Sequence, residues 1–111
     1  MFIKSIFFSP GVFYEFVNPK EIRDFLSEYS FVSDFLIEIY KNIKKIFADN
    51  LVSVKLECLT ESDEKNFTEL FVKIKTNLSF EESLDLLDEF DKFYWLGTEN
   101  RIRNIVEVTV Y

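Results

Sequence analysis

The alternation of apolar and polar residues changes its period several times along the chain and divides it into candidate strands and helices. Residues 2–8 and 12–17 are two aromatic and β-branched runs separated by Ser9, Pro10 and Gly11, which is typical of strands around a turn. We expect residues 2–8 to form a strand of the main sheet. Residues 12–17 form either an extended arm or the second half of a tight hairpin.

A helical period begins after these runs. Asn18 can cap a helix, Pro19 suits its first position, and Glu21 stands where a capping box places its acidic residue. Apolar residues then recur every three or four positions as far as Phe47. A break at residues 30–33 would divide this segment into two helices.

Two segments with a period of two follow, at residues 51–60 and 69–76. The polar residues 61–66 between them predict an antiparallel hairpin with a long, mobile tip. The positions predicted to face the core are Val52, Val54, Leu56, Cys58, Leu70, Val72 and Ile74.

The last third of the chain repeats the helix-then-strand order. Ser79 and Glu82 predict a second capping box, and the helix that they begin should end near Gly97. The alternating residues 102–111 predict a final strand. The apolar arc of this helix comprises Phe80, Leu84, Leu86, Leu87, Phe90, Phe93 and Tyr94.

The resulting order is β, α, β, β, α, β, in which the first helix is either continuous or divided in two. This order matches the ferredoxin-like βαββαβ arrangement. We therefore predict a single α+β domain over residues 1–111, with a four-stranded antiparallel sheet, helices on one face and the other face open. With 48% hydrophobic residues in 111 positions, the chain can bury a core of its own.

The composition removes several classes of function. The chain has no histidine and one cysteine, so the commonest general base and an internal disulfide are both missing. Cys58 continues an alternating strand without a basic neighbour, and we interpret it as a small core residue. We expect a protein that is not an enzyme and that uses no metal or cofactor.

The net charge limits the kinds of partner that we expect the protein to bind. A formal charge of −7 opposes binding to phosphate backbones and anionic membranes, so nucleic acid is an unfavoured partner and a protein with a basic surface fits better. The same charge also keeps an aromatic-rich domain soluble. Lys4 interrupts the first apolar run and no small-residue cleavage site follows, so we predict no signal peptide or membrane span and a cytoplasmic location.

Acidic residues cover the polar side of the predicted helix after Ser79. They form a solvated surface, a patch for a basic partner or, as an alternative, a carboxylate-only metal site of an enzyme. Asp91 falls inside the apolar arc, and we expect it to cap or to pair with Arg101 or Arg103. The acidic residues on the polar side are Glu81, Glu82, Asp85, Asp88 and Glu89.

Aromatic residues supply further candidate contacts, because tryptophan and tyrosine are enriched where a partner buries them. On the open sheet face, Phe71 and Tyr111 would lie among Lys55, Lys73 and Lys75, which allows either protein contact, self-association as a homodimer, or stacking on RNA bases. The predicted partner-binding residues are Phe13, Tyr14, Phe71, Glu81, Asp85, Asp88, Glu89, Trp95 and Tyr111.

The stretches LFVKIKTNLS (70–79), LDEFD (87–91) and YWL (94–96) resemble those of small prokaryotic α+β proteins to which no activity is assigned. The resemblance covers the C-terminal half and implies no site or ligand. From the residues we predict a small acidic interaction protein that docks on another macromolecule and inhibits it, as an antitoxin or a phage inhibitor does. The alternatives are the carboxylate-only enzyme and the RNA-binding sheet.

Overall fold

In the part of the chain that the structure describes, four strands form one sheet that is covered on one face by helices. The computed structural model describes residues 14–60, 68–95 and 97–111. The predicted strand at 2–8, residue Phe13 and the hairpin tip at 61–66 lie outside the described residues. In chain order the elements are β1 (Glu15–Phe16), α1 (Pro19–Glu28), α2 (Phe31–Phe47), a 3₁₀ turn (Ala48–Asn50), β2 (Leu51–Thr60), β3 (Thr68–Thr76), α3 (Phe80–Phe90), a π-helical turn (Asp91–Trp95), α4 (Asn100–Arg103) and β4 (Val106–Val110).

The sheet has the order β1-β2-β3-β4, and its strands have mixed orientations. β1 is parallel to β2, β2 is antiparallel to β3, and β3 is parallel to β4. The α+β class is confirmed, whereas the ferredoxin-like antiparallel sheet is wrong. A period of two fixes which face of a strand is buried, but it is the same for both orientations and does not identify the neighbouring strand.

The core lies between the sheet and the helices. The predicted inward positions from Val54 to Cys58 and from Leu70 to Ile74 are buried, and Val106, Val108 and Val110 continue them on β4. Helices α1, α2 and α3 contribute to the same cluster. Cys58 is a buried free thiol, as predicted, and burial, together with Glu21 and Asp24, raises its pKa to about 12.

One inward prediction on β2 is wrong. Val52 is 56% exposed, whereas Val54 is 3% exposed. The pairing with β3 shifts register between Leu51 and Ser53, and an extra residue of this kind changes the side on which the alternation begins.

The helical segment divides into two helices as predicted, but the break lies at residues 29–30 and not at 30–33, and α1 begins at Pro19. Asn18 occupies the N-cap position, but its side chain makes no capping hydrogen bond. Its Nδ2 donates to the Cys58 carbonyl oxygen at 2.7 Å, and its Oδ1 accepts from the Cys58 N–H at 3.0 Å. The predicted capping role is therefore wrong: the amide prolongs the pairing of β1 with β2.

The second capping box is confirmed. Ser79 Oγ accepts from the Glu82 N–H at 3.1 Å, and Glu82 Oε1 accepts from the Ser79 N–H at 3.1 Å. Beyond Phe90, however, the helix widens into the π-helical turn. The predicted strand over 102–111 is also too long, because its first residues belong to α4 and a turn, and β4 begins at Val106.

Candidate functional site

Helix α3 presents acidic and apolar side chains on one exposed surface. All five acidic residues predicted for this side are exposed. Of its apolar arc, Phe80 and Leu84 remain 59% and 39% exposed, and Phe93 in the following turn is 70% exposed. At 100° per residue, Phe80 and Leu84 border Glu81, Asp85 and Asp88 on the helix surface. We call these five residues and Glu89 the α3 surface.

Asp91 lies at the boundary of the core. Its carboxyl is half-buried, and burial raises its pKa above 3.8, with Asp88 and Glu107 raising it further. The predicted pairing with an arginine is wrong, because Arg101 pairs with Glu99 at 3.1 Å and Arg103 Nη2 donates to Asn100 Oδ1 at 2.6 Å. Across the described part of the chain, no three acidic or thiol groups gather where they could hold a metal ion.

The π-helical turn places Trp95 against α2 and Tyr94 against the end of α3. The Trp95 ring lies 5.7 Å from that of Phe35, centroid to centroid, at 51°, and the Tyr94 ring lies 5.9 Å from that of Phe90. Thr98 Oγ1 donates to the Tyr94 carbonyl oxygen at 3.2 Å and ties the turn to the chain that follows. Trp95 is half-buried, so part of its ring remains available to a partner.

A cavity of about 180 Å³ opens between this turn and α2. We call it the π-turn pocket. Its α2 wall contains Phe35, Glu38, Ile39 and Asn42. These positions share one face of a helix at the usual spacing, so the sequence contained a signal for this wall. On the opposite wall, Trp95 is a predicted contact residue and Phe90 and Tyr94 belong to the predicted apolar arc. The pocket itself could not be predicted, because the widening of α3 that forms it has no sequence signature.

On the open sheet face, three lysine ammonium groups surround the Tyr111 ring. Lys55 Nζ lies 5.6 Å from the ring centroid, and Lys73 and Lys75 Nζ each lie 5.4 Å from it. Lys73 also pairs with Glu57 at 3.1 Å. The predicted gathering of Tyr111 with the lysines is confirmed, and an acidic residue balances one of the charges.

Phe71 lies on the same face, one row from Lys73 along β3 and two rows from Tyr111. The register places it between Glu57 on β2 and Glu107 on β4. Its ring is half-buried. The open face is therefore basic around Tyr111 and acidic around Phe71.

Tyr14 is not available as a surface contact. Its side chain is fully buried, its ring meets that of Tyr40 edge-on at 5.3 Å, and its hydroxyl donates to the Leu36 carbonyl oxygen at 2.7 Å. Burial raises the pKa of this phenol well above 10.0, with Tyr40 raising it further. The partner-binding prediction for Tyr14 is wrong, because this residue packs on its own domain, which is one of the two alternatives that the sequence left open.

No protein-family model, curated protein or solved structure matches the chain. The resemblance to small prokaryotic α+β proteins accordingly stays a prediction. In the ranges that the structure describes, no helix combines the length and apolar character that crossing a membrane requires. Function has to be inferred from the geometry of the α3 surface, the π-turn pocket and the open sheet face.

Proposed function

We propose that the protein is a non-enzymatic interaction protein that docks on the basic surface of another protein through the α3 surface. The observation that carries this proposal is the exposure of Phe80 and Leu84 beside the carboxylates of the α3 surface, with Phe93 also exposed in the turn that follows. Exposed apolar side chains rimmed by charge are typical of protein contact sites.

The two kinds of side chain have different roles in such docking. The carboxylates attract a basic surface and raise the association rate, and the apolar side chains are desolvated once contact is made. In its most concrete form, the partner is a toxin or a nucleic-acid-binding enzyme whose basic active surface this protein covers, as an antitoxin or a phage inhibitor would.

Charge reversal on α3 tests the proposal. In the variant Glu81→Lys, Asp85→Lys, Asp88→Lys and Glu89→Lys, we expect a folded protein whose association with the partner, isolated from the native host, is at least tenfold slower at low salt. The matched control reverses four exposed acidic residues on other elements, Asp24, Glu28, Asp34 and Asp49. Stopped-flow kinetics at several salt concentrations and circular dichroism measure the rate and the fold.

Two results would contradict the proposal. An unchanged rate for the α3 variant at low salt would reduce the helix to solvated surface. Equal slowing of both variants would mean that only the total charge of the protein matters.

A second candidate, RNA binding on the open sheet face, is favoured by the three lysines around Tyr111. Aromatic rings beside cations are the usual platform for single-stranded RNA. The pairing of Lys73 with Glu57 and the acidic row at Phe71 oppose it. A Tyr111→Ala variant that binds single-stranded oligonucleotides more weakly than the unmodified protein would support this candidate over the first.

A further inference from the structure

We infer that the π-turn pocket binds an arginine side chain of the basic protein partner. The inference rests on the proposed function and names the residue that the partner would insert. The pocket begins where α3 ends, because Phe90 is the last residue of the helix and lines the pocket wall. Phe90 lies on the side of α3 opposite to the α3 surface, at 100° per residue, so the partner would extend around the C-terminal end of the helix to fill the pocket.

The walls of the pocket suit a cation. The rings of Phe35, Tyr94 and Trp95 line it, and the faces of aromatic rings attract positive charge. The tilt of 51° between Phe35 and Trp95 forms a wedge instead of a closed stack. The π-helical turn continues α3 as far as Trp95, so the negative pole of the helix dipole lies at the end of this turn, beside the pocket.

Two polar side chains line the pocket beside the aromatic rings. Glu38 contributes a carboxylate whose ion pair with Lys41 is long, at 3.9 Å, and lies between well-exposed side chains, so it holds the carboxylate weakly. Asn42, one turn further along α2, contributes a side-chain amide that makes no hydrogen bond to any described residue. Both offer oxygen acceptors to an entering donor.

Arginine fits these groups better than lysine does. A guanidinium is planar, weakly hydrated and able to donate to two acceptors while its face lies on an aromatic ring, whereas an ammonium is a compact and strongly hydrated charge. The protein itself shows this mode, because the Arg101 guanidinium lies 4.2 Å from the centroid of the Phe31 ring. At about 180 Å³, the pocket suits one side chain and is smaller than the roughly 300–1,000 Å³ of drug-sized sites.

The pocket carries its own probe, because Trp95 is the single tryptophan of the chain. We expect the tryptophan emission to change saturably on titration with N-acetyl-arginine methylamide at constant ionic strength. The citrulline analogue has nearly the same shape without the charge, and we expect it to bind at least tenfold more weakly. Glu38→Gln should weaken arginine binding several-fold, whereas the matched control Asp34→Asn, on the same helix but outside the pocket, should not.

The outcomes separate the possible occupants. Equal binding of citrulline would show a merely apolar pocket, equal or tighter binding of N-acetyl-lysine methylamide would overturn the choice of arginine, and the lack of a saturable change would overturn the site. Equal weakening by Glu38→Gln and Asp34→Asn would show that total charge alone matters. These titrations need no partner, so their outcome is independent of the test of the proposed function. The pocket can fail to bind arginine while charge reversal on α3 still slows docking, and the pocket can bind arginine while charge reversal has no effect.

Discussion

The amide of Asn18 joins the first helix to the sheet. Both of its polar atoms bond to the backbone of Cys58, at 2.7 and 3.0 Å, next to the point where β1 pairs with β2. The sequence favours asparagine at a helix start, and α1 does begin at the next residue. The sequence could not show that a strand 40 residues away along the chain takes the side chain instead.

We predict that Asn18→Ala lowers the free energy of unfolding by about 2 kcal/mol, since two hydrogen bonds of about 1 kcal/mol each are lost. Asn18→Ser separates the two roles, because serine is a good helix cap but is too short to bridge to both backbone groups of Cys58. Urea unfolding of both variants measures the difference. A serine variant as stable as the unmodified protein would restore the capping interpretation.

We predict a pH-dependent gain from Asp91→Asn. The pKa of Asp91 is raised in the folded protein, so the folded state binds the proton more tightly than the unfolded state, and ionisation of this group opposes folding. The variant should therefore melt at a higher temperature than the unmodified protein at pH 7. The gain should shrink as the pH falls through the raised pKa and vanish well below 3.8. Calorimetry across this range checks the sign, and a gain that grows on acidification would refute it.

At the scale of the elements, the sequence predicts features that depend on local bonds. The capping box of Ser79 and Glu82 forms as expected because its partners are three residues apart. The sequence does not predict the β-bulge at the start of β2, where the pairing with β3 shifts register, or the π-helical turn after α3. Both arise from packing against distant elements. For the candidate site, the acidic side of α3 was therefore predictable and the pocket at its end was not.

The bulge between Leu51 and Ser53 can be tested with one substitution inside it and one beyond it. Val52→Thr places a hydroxyl on an exposed position and should change the free energy of unfolding by less than about 0.5 kcal/mol. Val54→Thr buries the same hydroxyl in the core and should cost about 1–3 kcal/mol. Chemical denaturation of the two variants measures both free energies of unfolding. Equal costs would mean that both side chains face the core, as simple alternation predicts.

For the whole molecule, burial could be predicted from the sequence and connectivity could not. The alternating runs identified the inward residues of β2 and β3, because burial of one face imposes that pattern on the sequence. Strand order depends on which strands each connection brings together. Nothing in the period of β4 distinguishes a parallel neighbour from an antiparallel one.

The first strand should be indispensable to the domain. Removing residues 1–17 deletes the buried Tyr14 and the pairing of β1 with β2, and we predict loss of cooperative thermal unfolding. Tyr14→Ala alone should cost about 3–5 kcal/mol, as for other large buried rings, a large share of the roughly 5–15 kcal/mol of a typical domain. Tyr111→Ala, which truncates an exposed ring, is the control. A truncated protein that still melts cooperatively at the original temperature would contradict this role.

The two helical crossover connections, from β1 to β2 and from β3 to β4, have opposite handedness. Both advance in the same direction across the strands and over the same face, but β1 and β2 run opposite to β3 and β4. Rotating the molecule by 180° about the normal to the sheet aligns the strand direction of one half with that of the other. The two connections then advance in opposite directions across the strands, so one crossover is right-handed and the other is left-handed. About 98% of such crossovers are right-handed, so this chain contains one of the rare left-handed kind. The preference for right-handed crossovers arises from the twist of a full strand. Because β1 spans two residues, a left-handed crossover costs the least free energy in the connection through α1 and α2.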